Sequence, residues 1–321
     1  MSCEVSIIIP SYNEEHFLPG LLESIRRHGP ADAEVIVVDN GSMDNTAAVV
    51  ENFGAQLVRL PRKVFPSSAR NAGVVKAAGN VFVFLDADVE LSGEWRAGWP
   101  DAISSLQGKP LQITGDQYHI SKQPSWIERI WFAPLRDKTP TYINGGNLIT
   151  TRTAFDSVRG FDERLETGED VDFCVRAQKA GVEIRIDSDL KVFHEGYPKT
   201  LSRFIRRERW HGVGDFRSLS RLVRSKVAIA TVAFIGLHAV LLASAVVWVS
   251  TGRGGLIAGL SAASIGAICL LGCVQKFPKA SLSLVIQAVP IMYFYYVGRS
   301  LSLWDVIRTR LFTAAGNSRH R

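Results

Sequence analysis

The sequence predicts an α/β protein with a mainly parallel central sheet flanked by helices, followed by an α-helical membrane region. Three observations predict it. Short β-branched runs alternate with helical patterns from residue 5 onward, the βα repeat that builds a parallel sheet. The stretch VFVFL at residues 81–85 is apolar throughout, as in a strand buried on both faces. Between residues 227 and 298 charge almost vanishes, and Ala, Val, Leu, Ile and Gly dominate. The boundary is therefore expected near residue 222, with 1–222 an α/β domain and 223–321 a membrane region ending in a short basic tail.

Val5–Ile9 and Glu34–Val38 are the first two strands, each followed by a polar turn and a helical pattern; Gln56–Leu60 and Val81–Leu85 continue the series. Open parallel sheets bind ligands at the carboxyl ends of their strands, and here those ends are polar. Pro10, Ser11, Tyr12, Asn13 and Glu14 follow the first strand, Asp39, Asn40, Gly41 and Ser42 the second, and Asp86, Ala87 and Asp88 the fourth. If the fourth strand stays extended, Asp86 and Asp88 point to one side and can share a divalent cation held against a diphosphate. The alternative is an acidic turn. Asp39 ends its strand, which leaves its carboxylate for a base or ribose, whereas Ser11 and Ser42 also suit helix N-caps.

Ser67 or Ser68 is expected to cap a helix that carries Arg70, placed to pair with phosphate or with an aspartate of the site. Ile143–Thr150 reads as a strand broken by Gly145 and Gly146, with Asn147 offering an amide to sugar hydroxyls; a plain bulge is the alternative. Glu169 and Asp170 fall in the first turn of a helix with the apolar stripe Val171, Cys174, Val175, closed at Gly181. The helix dipole favours ionised carboxylates there, and an ionised carboxylate is what a general base requires; simple capping is the alternative. His194 ends a short strand as a metal ligand or a structural histidine.

Residues 227–249 and 255–274 are each long enough to span a bilayer at ~1.5 Å per residue. A third apolar segment, 281–298, carries Pro290, Gln287 and a tyrosine cluster suited to a membrane interface. The net charge of +6 is concentrated before the first span, at Lys199, Arg203, Arg206, Arg207, Arg209, Arg217, Arg221, Arg224 and Lys226. Such a cluster fits anionic headgroups or a phosphate-bearing acceptor. Nucleic acid is not expected as a partner, since the adjoining span already accounts for the charge. Cys3, Cys174, Cys269 and Cys273 have no metal-ligand spacing, and a reduced compartment is implied. The N-terminus leads directly into a strand, so the α/β domain is expected on the cytoplasmic side of a cell (inner) membrane crossed more than once.

Taken in order, SIIIPSYNEE, VIVVDNGSMDNT, SARNAG, FLDADV, NGGN, GEDVDFCVR and VFHEGY resemble the family 2 glycosyltransferases over about residues 4–215. The resemblance implies the A-type glycosyltransferase fold, a nucleotide-diphosphate sugar donor, a divalent metal (Mg²⁺ or Mn²⁺) and inversion at the anomeric carbon. Pro10, Tyr12 and Glu14 resemble the residues around the donor base and ribose, Asp39 the base contact, and Arg70 a residue near the nucleotide. Asp86 resembles the aspartate near ribose and metal, Asp88 the direct metal ligand, and His194 an occasional further ligand. Asp170 matches the catalytic base, with Glu169 as fallback. Gly146 and Asn147 are assigned to the sugar.

Two departures stand out. Asn40 replaces a second aspartate, which blurs donor choice. Arg206 to Trp210 looks like the Gln, any, any, Arg, Trp signature of processive synthases, but Arg206 stands in the glutamine position and a basic amphipathic helix entering the membrane would look similar, so processivity is not read from it; Arg206, Arg209 and Trp210 are assigned to acceptor or donor sugar. The expected activity is transfer of a sugar to a lipid-linked or other membrane-associated acceptor in envelope glycan assembly. A processive polysaccharide synthase and a non-catalytic assembly scaffold are the alternatives.

Overall fold

The computed structural model describes residues 5–137, 141–216 and 218–317. Cys3, Arg217, Arg319 and Arg321 lie outside these residues, as do the side chains of Arg221 and Arg310. By its internal contacts the chain forms two compact units, residues 1–123 with 138–197, and residues 124–137 with 198–321. Contacts thus divide the chain at residue 198, before the residue 222 at which hydropathy changes.

The first unit opens with β1 (Val5–Ser11), α1 (Leu18–His28), β2 (Glu34–Asp39), α2 (Thr46–Phe53), β3 (Gln56–Arg59), α3 (Pro66–Lys76) and β4 (Val81–Leu85). It continues with β5 (Val89–Leu91), α4 (Gly93–Gly108), β6 (Gln112–Gly115), β7 (His119–Ile120), β8 (Asn147–Thr151), α5 (Arg152–Ser157), α6 (Glu169–Lys179), β9 (Glu183–Ile186) and β10 (Val192–His194). Seven strands form one sheet in the order β3-β2-β1-β4-β8-β6-β9, and β5, β10 and β7 form a second. The large sheet is parallel except at β8, which runs antiparallel to both β4 and β6. All five residues of β4 are buried, as a central strand covered on both faces requires.

Several local expectations change. The strand expected over 143–150 begins only at Asn147, and 144–147 is a turn closed by Asn147 N–H donating to Asn144 O at 3.0 Å. The extended end expected after β4 is also absent: the chain turns at once, and Val89 N–H donates to Asp86 O at 3.3 Å. The cap of α3 is Phe65 with Pro66 in the first turn, so neither Ser67 nor Ser68 fills that role. On α6 the buried stripe is Phe173, Cys174 and Ala177, while Val171 and Val175 are exposed. Phe173 wins the core because its ring closes an aromatic cluster with Phe155 and Phe161.

The second unit contains a short π-helical and 3-10 segment (Glu128–Asp137), α7 (Leu201–Phe216), α8 (Leu219–Arg224), α9 (Lys226–Thr251), α10 (Gly255–Lys276) and α11 (Leu282–Asn317). Among the described residues, α9 and α10 are long and apolar enough to cross a membrane. Their large apolar side chains, among them Leu242, Val246, Trp248, Leu256 and Leu260, are mostly uncovered. The third apolar segment, 281–298, is the first half of α11, which continues unbroken through Arg299 and Asp305. Polar bonds fasten α11 to α7: Arg299 donates to Glu208 at 3.0 Å and to Asp215 at 3.1 Å, and Ser302 Oγ donates to Arg209 O at 2.5 Å.

Candidate active site

At the carboxyl ends of β1 and β2 the polar turns are stitched together. Asn13, in the left-handed region at φ 57°, donates its N–H to Ser42 Oγ at 2.9 Å and accepts Met43 N–H on Oδ1 at 2.8 Å. Glu14 N–H donates to Thr46 Oγ1 at 2.9 Å. Much of the motif polarity therefore shapes the loops, and Ser11 and Ser42 cap no helix: α1 begins after Phe17 and α2 after Asn45. Asp39 is buried at the end of β2, in register with Ser11 of β1, and its Oδ1 accepts Ser42 N–H at 2.9 Å. Asn40 exchanges two hydrogen bonds with the backbone of Val64, at 2.8 and 2.9 Å, and so pins the loop after β3. In that loop Lys63 Nζ stands 3.6 Å over the ring of Tyr12, the residue that follows β1. Pro10 is half-buried in β1 opposite Val38.

The two aspartates after β4 are separated by the turn and take different partners. Asp86 Oδ1 accepts from Arg70 Nη2 at 2.6 Å, and Asp86 Oδ2 accepts from Tyr118 Oη at 2.5 Å. Burial pushes the Asp86 carboxyl up, but the Arg70 charge, with Tyr118 and His194, outweighs it and holds the group below the usual carboxylate range. Asp88 Oδ2 lies 3.6 Å from His194 Nε2. Asp88 O also accepts Glu195 N–H at 2.8 Å, so residues 194–196 wrap the aspartate. A Cβ at Gly196 would stand 1.8 Å from Asp88 Oδ2, closer than any atom can be accommodated.

Of its two expected partners Arg70 takes the aspartate. Its guanidinium is buried and spent on carboxylates, Nη2 on Asp86 and Nη1 on Glu169 Oε1 at 2.6 Å, so neither terminal nitrogen is directed at a phosphate. Glu169, the fallback base, is thereby neutralised by a charged partner. Asp170 is placed differently: Oδ1 accepts Val171 N–H at 2.8 Å and Oδ2 accepts Gly145 N–H at 3.2 Å. The helix dipole was expected to keep Asp170 acidic. Instead burial, followed by the Glu169 charge, raises its pKa above the usual value against those two N–H donors and Arg70. Glu14 is pushed up to about 8 by burial and by the charges of Asp88, Asp86 and Asp44.

Gly146 lies between two side chains of the site, and the Asn147 amide, expected at the sugar, is turned into the core instead. A Cβ on Gly146 would lie 2.4 Å from Asp86 Cγ and 2.6 Å from Tyr118 Oη, so the residue lets the backbone pass between them. Asn147 is fully buried; its Nδ2 donates to Leu190 O at 2.7 Å and Asp116 O at 3.3 Å, and Oδ1 accepts from Trp95 Nε1 at 3.3 Å. Arg209 is likewise committed, donating to both oxygens of Asp305 at 2.6 and 2.5 Å within the second unit. Arg206 and Trp210 are exposed on α7.

Sequence reasoning missed Tyr118 and Gly196. Tyr118 carries no local signature, whereas Gly196 lies in VFHEGY beside His194, a signal that could have found it.

The donor set available for a cation is Asp88 with His194. His194 turns Nε2 toward Asp88 Oδ2, and both ligand types suit a hard or borderline divalent ion. Among the described residues no group of three or more His, Cys, Asp or Glu side chains gathers around one point. Asp88 and His194 would supply two ligands to such an ion.

Comparison with known proteins decides the family. The model "Glycosyl transferase family group 2" matches residues 127–298, more than half of the chain, and "Glycosyl transferase family 2" matches residues 6–149. The chain belongs to the family 2 glycosyltransferases. A pre-mycofactocin glycosyltransferase of Mycobacterium tuberculosis is 27% identical over 230 residues, covering 65% of this chain and 46% of that protein. This family 2 chain thus matches about half the length of that relative. Glycosyltransferase AglE of Haloferax volcanii is 26% identical over 208 residues, 60% of this chain and 67% of its own. Among solved structures, a mannosyltransferase from Pyrobaculum calidifontis, in complex with GDP-Man and Mn²⁺, aligns at a TM-score of 0.51 and 19% identity over 94% of this chain and 87% of its own. That likeness identifies the A-type glycosyltransferase fold.

Proposed function

We propose that this glycosyltransferase is membrane-anchored and inverting, and moves one sugar from a nucleotide-diphosphate sugar to a lipid-linked or other membrane-associated acceptor. The observation that carries the reading is the group of carboxylates around the turn after β4: Asp88 beside His194, the Asp86–Arg70–Glu169 chain, and Asp170 bonded to Gly145. The Mn²⁺ and GDP-Man bound by the mannosyltransferase of like fold are consistent with this donor class. A relative named for amylovoran biosynthesis, in Erwinia amylovora, is 26% identical over 208 residues, 59% of this chain and 69% of its own, and favours a role in glycan assembly. The uncovered apolar sides of α9 and α10 favour an anchor.

In this reading Asp88 and His194 hold a divalent cation, Mg²⁺ or Mn²⁺, whose chemistry when bound is to neutralise charge on the leaving diphosphate. Asp86, fixed by Arg70 and Tyr118, presents its carboxylate edge to the ribose. Asp170 accepts the proton of the acceptor hydroxyl as that oxygen bonds to the anomeric carbon and the bond to the diphosphate breaks. A carboxyl whose pKa is raised is the stronger base, and the two N–H donors hold it in one orientation.

The test is turnover of a panel of nucleotide sugars by the purified full chain with Mg²⁺ or Mn²⁺. At least one should be hydrolysed or transferred, Asp170→Asn should lower kcat by about 100-fold or more, and Asp88→Ala should abolish metal-stimulated turnover. Full turnover by both variants would overturn the mechanism.

A further inference from the structure

We propose that Tyr118 is a positioning residue with two separate ends, a hydroxyl that fixes Asp86 and a ring that fixes His194. The inference rests on the donor and cation roles assigned above. The three-stranded sheet makes the arrangement possible: β5 follows Asp88 directly, β10 pairs with β5 so that His194 meets Val89, and β7 pairs with β10 so that His194 meets Ile120. Tyr118 immediately precedes β7 and is carried to the same place. Its backbone N–H donates to Asn144 Oδ1 at 3.3 Å, which ties it to the turn that bears Gly145 and Gly146.

The hydroxyl donates to Asp86 Oδ2 at 2.5 Å and accepts Gly146 N–H at 2.9 Å. One oxygen thus relays a backbone amide to the carboxylate, and phenylalanine would leave both groups without it. The ring does different work. A metal-binding histidine is ordinarily oriented by a hydrogen bond to its second nitrogen, but His194 Nδ1 has none. What holds the imidazole instead is aromatic contact: its centroid lies 4.8 Å from the Tyr118 ring and 4.2 Å from the Tyr197 ring. Of the two rings, Tyr197 lies within VFHEGY and Tyr118 lies outside the quoted motifs.

The two ends predict separable defects in the full-length chain. Binding of UDP, GDP, dTDP, CDP and ADP is measured calorimetrically across a Mn²⁺ series, giving a nucleotide affinity and a half-saturating Mn²⁺ concentration. Tyr118→Phe should weaken the preferred nucleotide about 10-fold and leave half-saturating Mn²⁺ unchanged, within the 10–100-fold range of orienting groups. Tyr118→Leu should also raise half-saturating Mn²⁺ about 10-fold. Combining Tyr118→Phe with Asp86→Asn should cost little more than Asp86→Asn alone. A parent chain that binds none of the five would sink the functional reading itself. A parent that binds, with Tyr118→Phe retaining its affinity or adding fully to Asp86→Asn, overturns only the Tyr118 assignment, and the Phe arm decides this even if the Leu variant does not fold.

Discussion

Arg70 Nη2 donates to Asp86 Oδ1 at 2.6 Å, from a guanidinium that is only 4% exposed and whose other terminal nitrogen holds Glu169. Removing one partner of a buried pair leaves the other charge uncompensated, which costs more than the pair itself contributes. Arg70→Met, with two carboxylates left behind, should therefore destabilise the chain by on the order of 3 kcal/mol. Chemical denaturation monitored by tryptophan fluorescence checks this. A loss under about 1 kcal/mol would mean that the carboxylates find water or a proton instead.

Gly196→Ala is expected to act on Asp88. The new methyl cannot coexist with a carboxylate oxygen 1.8 Å away, so Asp88 must swing or the 194–196 segment must shift. Turnover should fall about 10- to 100-fold through a higher Mn²⁺ requirement. Metal titration of activity measures it.

Asn147→Ala separates structure from recognition. The substitution strands the Trp95 indole N–H and the Leu190 carbonyl in the core. The cost should be about 1–3 kcal/mol in stability, with donor KM close to the parent value in chain that remains folded. A large rise in donor KM without loss of stability would restore the sugar-binding role that the buried amide contradicts.

Glu14 supplies a pH dependence. Its folded value of about 8 lies above the usual 4.5, so between those limits the folded chain retains a proton that the unfolded chain has lost. The stability from this group is fully present below the lower value and disappears as the pH rises through the upper one. The melting temperature should fall between about pH 5 and pH 8, and Glu14→Gln should flatten that slope. An unchanged slope in the variant would place the titration elsewhere.

The parts of the molecule legible in the sequence are those that depend on near neighbours. VFVFL announces a central strand, and β1 to β4 begin and end within a few residues of expectation. The helix after Gly168 starts with Glu169 and Asp170 in its first turn as its pattern indicates. The apolar runs expected at 227–249 and 255–274 lie within Lys226–Thr251 and Gly255–Lys276. Less was legible where the outcome rests on distant partners: Asn147, expected as a sugar ligand or part of a plain bulge, is a buried strut, and Arg209, expected at acceptor or donor sugar, is an ion-pair partner. Only the partners decide, and those lie 52 residues away at Trp95 and 96 away at Asp305.

By itself, then, the sequence determined the α/β class, the apolar helices and which strand ends carry carboxylates, because periodicity and hydropathy act over a few residues. Tertiary structure decided how those carboxylates are used. Arg70 and Glu169 are 99 residues apart, and Tyr118 reaches Asp86 across 32. The antiparallel β8 and the small second sheet bring these groups within hydrogen-bond range, where burial and mutual charge, which no local pattern encodes, set apart an Asp86 held by Arg70 and Tyr118, an Asp88 beside His194 and an Asp170 whose pKa is raised.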